Sequence, residues 1–72
     1  MDARVPISEA AEVLGVHLSD RDAHTVGGLV TARLRRIPKV GDSIEEGGFV
    51  FLIEDANDRA PLLLRVSALL QT

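Results

Sequence analysis

Two stretches of this 72-residue chain carry side chains with the composition of a metal site. Asp20, Asp22 and His24 alternate, with His17 close by, an oxygen-and-nitrogen set of the kind that binds divalent transition metals. Alternation aligns ligands only on a strand, whereas residues 16–24 read as a linker whose acidic residues are ordinary helix-start chemistry. No metal is assigned to them. The run Glu54-Asp55-Ala56-Asn57-Asp58 starts like a calcium loop, but Val66 stands where the closing bidentate Glu would be. Ser8, Ser43 and Ser67 lack an elbow motif, and two histidines without a pattern make no triad. The chain therefore reads as non-catalytic.

A glycine pair and a group of cations are the remaining candidates for binding. Gly27 and Gly28 fall at the start of a helix, where free backbone N–H groups can cradle an anion. A lone Gly-Gly lacks the longer glycine fingerprint of phosphate loops. The competing reading is packing: Gly28 and Ala32 are four apart, with Thr25 three before Gly28, and this small-residue stripe lets a backbone approach Gly28 closely. Arg33, Arg35, Arg36 and Lys39 put four cations into seven residues of a chain whose net charge is −3. Cations at a helix C-terminus complement the macrodipole while staying solvated. The sharper alternative is contact with an anionic partner: a nucleotide phosphate, a lipid headgroup or an acidic neighbouring domain. The candidate ligand-binding residues are accordingly Gly27, Gly28, Arg35, Arg36 and Lys39.

The elements that must position these residues follow from periodicity and punctuation. Thr25 is a natural N-cap. The helix it opens runs to about Arg36, with Val26, Leu29, Val30, Leu34 and Ile37 on one apolar stripe. Arg33 interrupts that stripe and must lay its methylenes on apolar surface while lifting its guanidinium to water. Pro38 ends the helix. Before it, residues 4–7 are extended, with Pro6 restricting them to an edge. Ser8 is the expected N-cap of a first helix through Ala10, Ala11, Val13 and Leu14, with Gly15 as its stop. Ser19 and Asp22 are turn or cap candidates in the connector.

After Pro38, a turn at Gly41 and Asp42 leads to a brief strand at residues 43–45. Gly47-Gly48 is a hairpin signal. Residues 49–54 read as a central strand covered on both faces. Asn57-Asp58 marks a second turn, and residues 61–69 return as the last strand, with Pro61 at its permitted first position. The fold class is α+β: two helices packed on a small antiparallel sheet.

Composition bounds the function classes. With 46% hydrophobic and 26% charged residues the chain is globular, and its length suits one domain with a small core. Only Phe49 and Phe51 are aromatic, too few for a stacking platform, and the net charge is negative, so no nucleic-acid partner is expected. The absence of cysteine excludes disulfides and thiolate sites. No apolar run reaches the length of a membrane helix, so the isolated piece is expected to be soluble.

The segments D-A-R-V-P-I-S-E-A-A-E-V-L-G, T-V-G-G-L-V, R-I-P-K-V-G-D and E-G-G-F-V-F together resemble the CorC/HlyC transporter-associated domain family, over nearly the whole chain. Asp2, Arg4, Pro6, Gly27, Gly28, Ile37, Pro38, Gly41, Asp42, Gly47, Gly48 and Phe51 fall on its pattern, as fold residues rather than a catalytic set. The chain departs from the pattern at His24, where an aromatic is common, at Arg33 in place of Leu, and at Arg35 in place of a helix-ending Gly. The resemblance implies a C-terminal domain of a bacterial membrane protein that also carries a transmembrane region and paired CBS domains, of the hemolysin-like or magnesium and cobalt efflux type. It implies a non-catalytic role in modulating ion transport or assembly, on the cytoplasmic side of the inner membrane. The family's fold is similar to an FAD-binding domain, so FAD or an adenine nucleotide is the alternative ligand, although no cofactor is expected. The family's upstream strand is missing, which suggests a fragment cut near the domain boundary. A weak homodimer is expected, through an exposed sheet edge, the Gly28/Ala32 face, or apolar surface among Leu62, Leu63, Leu64, Leu69 and Leu70.

Overall fold

The structure, a computed structural model, describes residues 1–69. Leu70, from the expected apolar set, lies outside them. Two helices, α1 (Ile7–Leu14) and α2 (Val26–Leu34), precede three strands, β1 (Ser43–Glu46), β2 (Phe49–Ala56) and β3 (Pro61–Ala68). The strands form one antiparallel sheet in the order β1-β2-β3. This is the α+β arrangement that the sequence implies.

Helix α1 starts one residue before its expected cap. Pro6, extended at φ −60° and ψ 143°, occupies the N-cap position with no side-chain cap, and Ser8 lies inside the helix. Proline suits this boundary because its fixed φ fits the helix entry and it lacks the N–H a ladder would need. The Ile7 N–H donates to His24 O at 2.9 Å, which ties the first helical residue to the connector. At the other end Gly15 adopts φ 71°, its N–H donates to Glu12 O and the Val16 N–H to Ala11 O. This closure needs a left-handed residue, which glycine supplies without a Cβ clash.

Helix α2 begins at Thr25 as expected, with the hydroxyl accepting from the Gly28 N–H at 3.1 Å. It ends two residues before Arg36. Arg35 takes the left-handed conformation at φ 60°, and its N–H donates to Thr31 O. A non-glycine residue held there costs on the order of 1 kcal/mol. The early stop removes Ile37 from the apolar stripe and leaves it exposed, while Pro38 is fully buried in its place.

The Gly47-Gly48 turn, with φ 58° and 85°, joins β1 to β2 as a two-residue hairpin. Strand β1 extends one residue beyond expectation, to Glu46, and β2 two residues beyond, to Ala56. A register shift between Ile53 and Asp55 places a bulge at Glu54. Contrary to the unbroken apolar run, only one face of β2 is fully covered. Phe51 and Ile53 are buried, whereas Val50 and Leu52 on the opposite face remain half-exposed.

The core joins Val26, Leu29 and Val30 of α2 and Ile7 and Ala10 of α1 to Phe51, Ile53 and Leu64 of the sheet, with Ala3 and Leu18 closing its ends. Burying each of the larger side chains contributes roughly 1.5–3 kcal/mol. The edge of β3 is partly occupied: the Leu64 N–H donates to Met1 O at 2.7 Å and the Ala3 N–H to Leu62 O at 3.0 Å. Residues 1–3 therefore pair with this edge, and Pro6 bridges to Thr25 rather than to the sheet. Leu64 is buried, and Leu62 and Leu63 stay exposed.

Candidate functional site

The small-residue face of α2 opens onto a groove of about 650 Å³, bounded by Arg4, Asp22 and Pro61 and floored by Gly28 and Ala32. The closer approach to the helix in this groove is at Gly27 rather than Gly28. A Cβ on Gly27 would stand 2.9 Å from Ala3 Cβ, 3.0 Å from Ala3 O and 3.2 Å from Pro61 Cγ. At Gly28 the nearest atoms would be Ala23 Cβ and Thr25 Oγ1, both at 3.2 Å. The sequence spacing marked Gly28, where contacts are close, and missed the tighter approach at neighbouring Gly27, because the contacting Ala3 and Pro61 are remote in the chain.

The helix start offers no anion cradle of free amides. The Val26 N–H donates to Val5 O, the Gly27 N–H to Ala3 O and the Leu29 N–H to Thr25 O, each at 2.9 Å. With Gly28 capped by Thr25, the first turn is engaged in holding residues 3–5 against α2. The Thr31 hydroxyl in the groove donates to Gly27 O at 2.9 Å. Arg4 at the rim is held by Asp2, which accepts from Nη2 at 3.1 Å.

Among the described residues, the basic cluster divides into members that form salt bridges and members that form none. Arg33 stays exposed, as its position in the stripe requires, but its guanidinium is fully engaged. Its Nη1 donates to Asp20 Oδ1 at 2.7 Å, its Nε to Glu46 Oε1, and its Nη2 to Ser19 O at 3.1 Å. One guanidinium thus ties the connector and the end of β1 to α2. Asp20, whose side chain is only 13% exposed, also accepts from the Asp22 N–H at 3.0 Å and the Ala23 N–H at 2.8 Å. The Arg33 guanidinium, followed by those two amides, holds the Asp20 carboxyl below its ordinary pKa. Asp20 is thus the turn-forming residue of the connector, in place of Ser19 or Asp22. Its pairing with Arg33, thirteen positions away, leaves no local signal.

Arg36 is paired as well, bidentate to Asp42 through Nη1 at 2.7 Å and Nη2 at 2.9 Å. The Lys39 N–H adds a third bond to the Asp42 carboxylate at 2.8 Å. Arg36 and then this amide depress the Asp42 pKa to about 2. Among the described residues, Arg35 and Lys39 form no salt bridge. The five candidate ligand residues are therefore not brought together. Gly27 and Gly28 line the groove on α2, Lys39 lines a second hollow with Ile37, Val40 and Asp58, and Arg35 and Arg36 line neither. Among the described residues no group of three or more His, Cys, Asp or Glu could hold a metal ion, and no helix is long and apolar enough to cross a membrane.

Two helices on a three-stranded antiparallel sheet define a small α+β domain. The family model of the transporter associated domain CorC_HlyC matches residues 1–69, and the chain belongs to that family. The magnesium and cobalt efflux protein CorC of Escherichia coli K12 is 31% identical over 64 residues, which cover 89% of this chain and 22% of that protein. The chain thus spans about a fifth of the length of the curated relatives it matches, and in them the domain sits within a longer polypeptide. The associated region of a Mg2+ and Co2+ transporter (CorC) from Neisseria meningitidis MC58 superposes with a TM-score of 0.89 at 28% identity, covering 94% of this chain and 84% of that one. A transporter associated domain from a Xylella fastidiosa Temecula1 hemolysin, in complex with Mg++ and Mn++, is 34% identical with a TM-score of 0.75, covering 90% and 81%.

Proposed function

We propose that this chain is a non-catalytic regulatory or accessory domain of a bacterial divalent-cation transporter of the magnesium and cobalt efflux type. In that protein it modulates transport or assembly through contacts with the CBS and membrane domains of the same polypeptide, on the cytoplasmic side of the inner membrane. The observation that carries the reading is the match of nearly the whole chain to one segment of an efflux protein. The bonded helix start and the Thr31 hydroxyl engaged with Gly27 O support a role in contacts rather than turnover. No cofactor is needed in this reading. FAD and adenine nucleotides should show no micromolar affinity in titration, and a stoichiometric flavin in the purified protein would favour the ligand-binding alternative.

The direct test deletes residues 1–69 in frame from the full-length transporter and measures cobalt tolerance and cellular magnesium. The expected result is a stably inserted transporter with altered cation efflux. Unchanged efflux would overturn the reading, as would a reading frame with no membrane segment.

A further inference from the structure

We propose that residues 35–40 form a docking tip for an anionic phospholipid bilayer. Ile37 and Val40 are 47% and 63% exposed, two of the large hydrophobic side chains that the fold leaves outside its core. They alternate with cations, and the pairing described above sorts those cations: Asp42 neutralises Arg36, which leaves Arg35 and Lys39 as local positive charge in a chain of net charge −3. Arg35 sustains its left-handed backbone without forming a salt bridge among the described residues, so no ionic contact within the fold offsets that strain.

The tip is also held in place without any partner. Pro38 is buried behind it, the Gly41 N–H donates to Ile53 O at 3.0 Å, and the Ile53 N–H donates to Asp42 O at 2.8 Å. A preordered tip loses little conformational entropy on docking. Two aliphatic side chains are far less than the roughly 800 Å² per partner of a stable protein interface. A bilayer, by contrast, accepts small apolar insertions additively and adds attraction for each nearby cation. The long Arg and Lys stems can follow the aliphatic residues to the headgroup level while their charges remain there. Asp58, on the opposite wall of the same hollow, opposes binding.

Bilayer docking is a property separate from transport, and its test needs no transport activity. The 72-residue chain is sedimented with sucrose-loaded vesicles of phosphatidylcholine, alone or with phosphatidylglycerol added. Each cation near an anionic surface is worth about five-fold in partitioning, so Arg35 and Lys39 together should favour the anionic vesicles by at most about twenty-five-fold at low salt, Asp58 lowering that figure, and by less at high salt. Arg35→Gly, which glycine's freedom at this φ should leave folded, is expected to lower that preference about five-fold. Lys39→Glu should lower it further, Asp58→Asn should raise it, and Arg21→Glu, outside the tip, should change it less than Arg35→Gly does. In Val40→Trp, the indole emission should shift to the blue only with anionic vesicles. Equal partitioning on both vesicles, an equal loss in Arg21→Glu, or no blue shift would overturn the proposal. Binding to soluble polyglutamate without binding to vesicles would overturn it in favour of an acidic protein partner.

Discussion

Replacing Gly27 by Ala sets two opposed effects against each other, and the geometry decides between them. Helix propensity alone would favour alanine by about 1 kcal/mol. The added methyl, however, would enter contacts of 2.9 Å with Ala3 Cβ and 3.0 Å with Ala3 O, well inside the roughly 3.5–4.0 Å of relaxed carbon contacts. Ala3 cannot retreat cheaply, because its carbonyl accepts from Gly27 and its N–H donates to Leu62 O. Pro61 closes the other side. Overpacking of this kind commonly costs about 1–3 kcal/mol; with hydrogen-bonded Ala3 at 2.9 and 3.0 Å the upper part of that range, about 2–3 kcal/mol, applies, so after the propensity gain Gly27→Ala should be destabilising by about 1–2 kcal/mol net. For a domain of this size that lowers Tm by about 5–12 °C and the urea midpoint by roughly 1 M. Gly28→Ala is the control. Its nearest atoms belong to the Ala23 and Thr25 side chains at 3.2 Å, and its stability should stay within about 0.5 kcal/mol of wild type once helix propensity is included. A Gly27→Ala midpoint equal to or above wild type would refute the clamping of residues 1–3 against α2.

Arg33→Leu should lower the urea midpoint by leaving Asp20 and Glu46 without their guanidinium, and the Asp20 titration followed by NMR should move up toward the ordinary carboxylate range. Identical midpoints with an unmoved Asp20 would remove the clamp assigned to Arg33. The pH dependence follows from Asp42: its folded pKa of about 2 lies below the ordinary aspartate value of 3.8, so its stabilisation is present above the unfolded value and is lost as pH falls through the folded one. Urea midpoints should therefore fall between about pH 4 and pH 2, with a smaller decline in Arg36→Ala. Weak self-association is expected through β3 beyond Leu64, where strand alternation turns the backbone groups of Val66 and Ala68 toward the edge that residues 1–3 leave open. Sedimentation equilibrium up to the solubility limit checks this, and a strict monomer throughout would rule it out.

Local chemistry makes most of the elements legible in the sequence itself. Thr25 as a cap, Gly15 as a stop, Gly47-Gly48 as a hairpin and Pro61 as a strand start each act through the backbone of a few neighbouring residues, and each stands where the sequence indicates. Boundaries without a dedicated signal shifted. Arg35 ends α2 in a conformation that a cation does not announce, and Pro6 takes the place of Ser8 at a helix start whose first N–H is held by His24 O, distant in the chain.

What the sequence by itself determined is the α+β class, the order of the elements and, through its motifs, the family, because all three rest on periodicity, turn chemistry and residue identity. Tertiary structure alone decided which glycine is the more crowded, which cations are paired and which face of β2 is covered. Those outcomes depend on partners such as Ala3 against Gly27 and Asp20 against Arg33, whose separation in the chain leaves no trace in local pattern. The same is true of the exposed tip. Ile37 continues an apolar stripe in sequence, but the left-handed turn at Arg35 swings it out of the core and places Pro38 inside, since one change of backbone direction redirects every side chain after it.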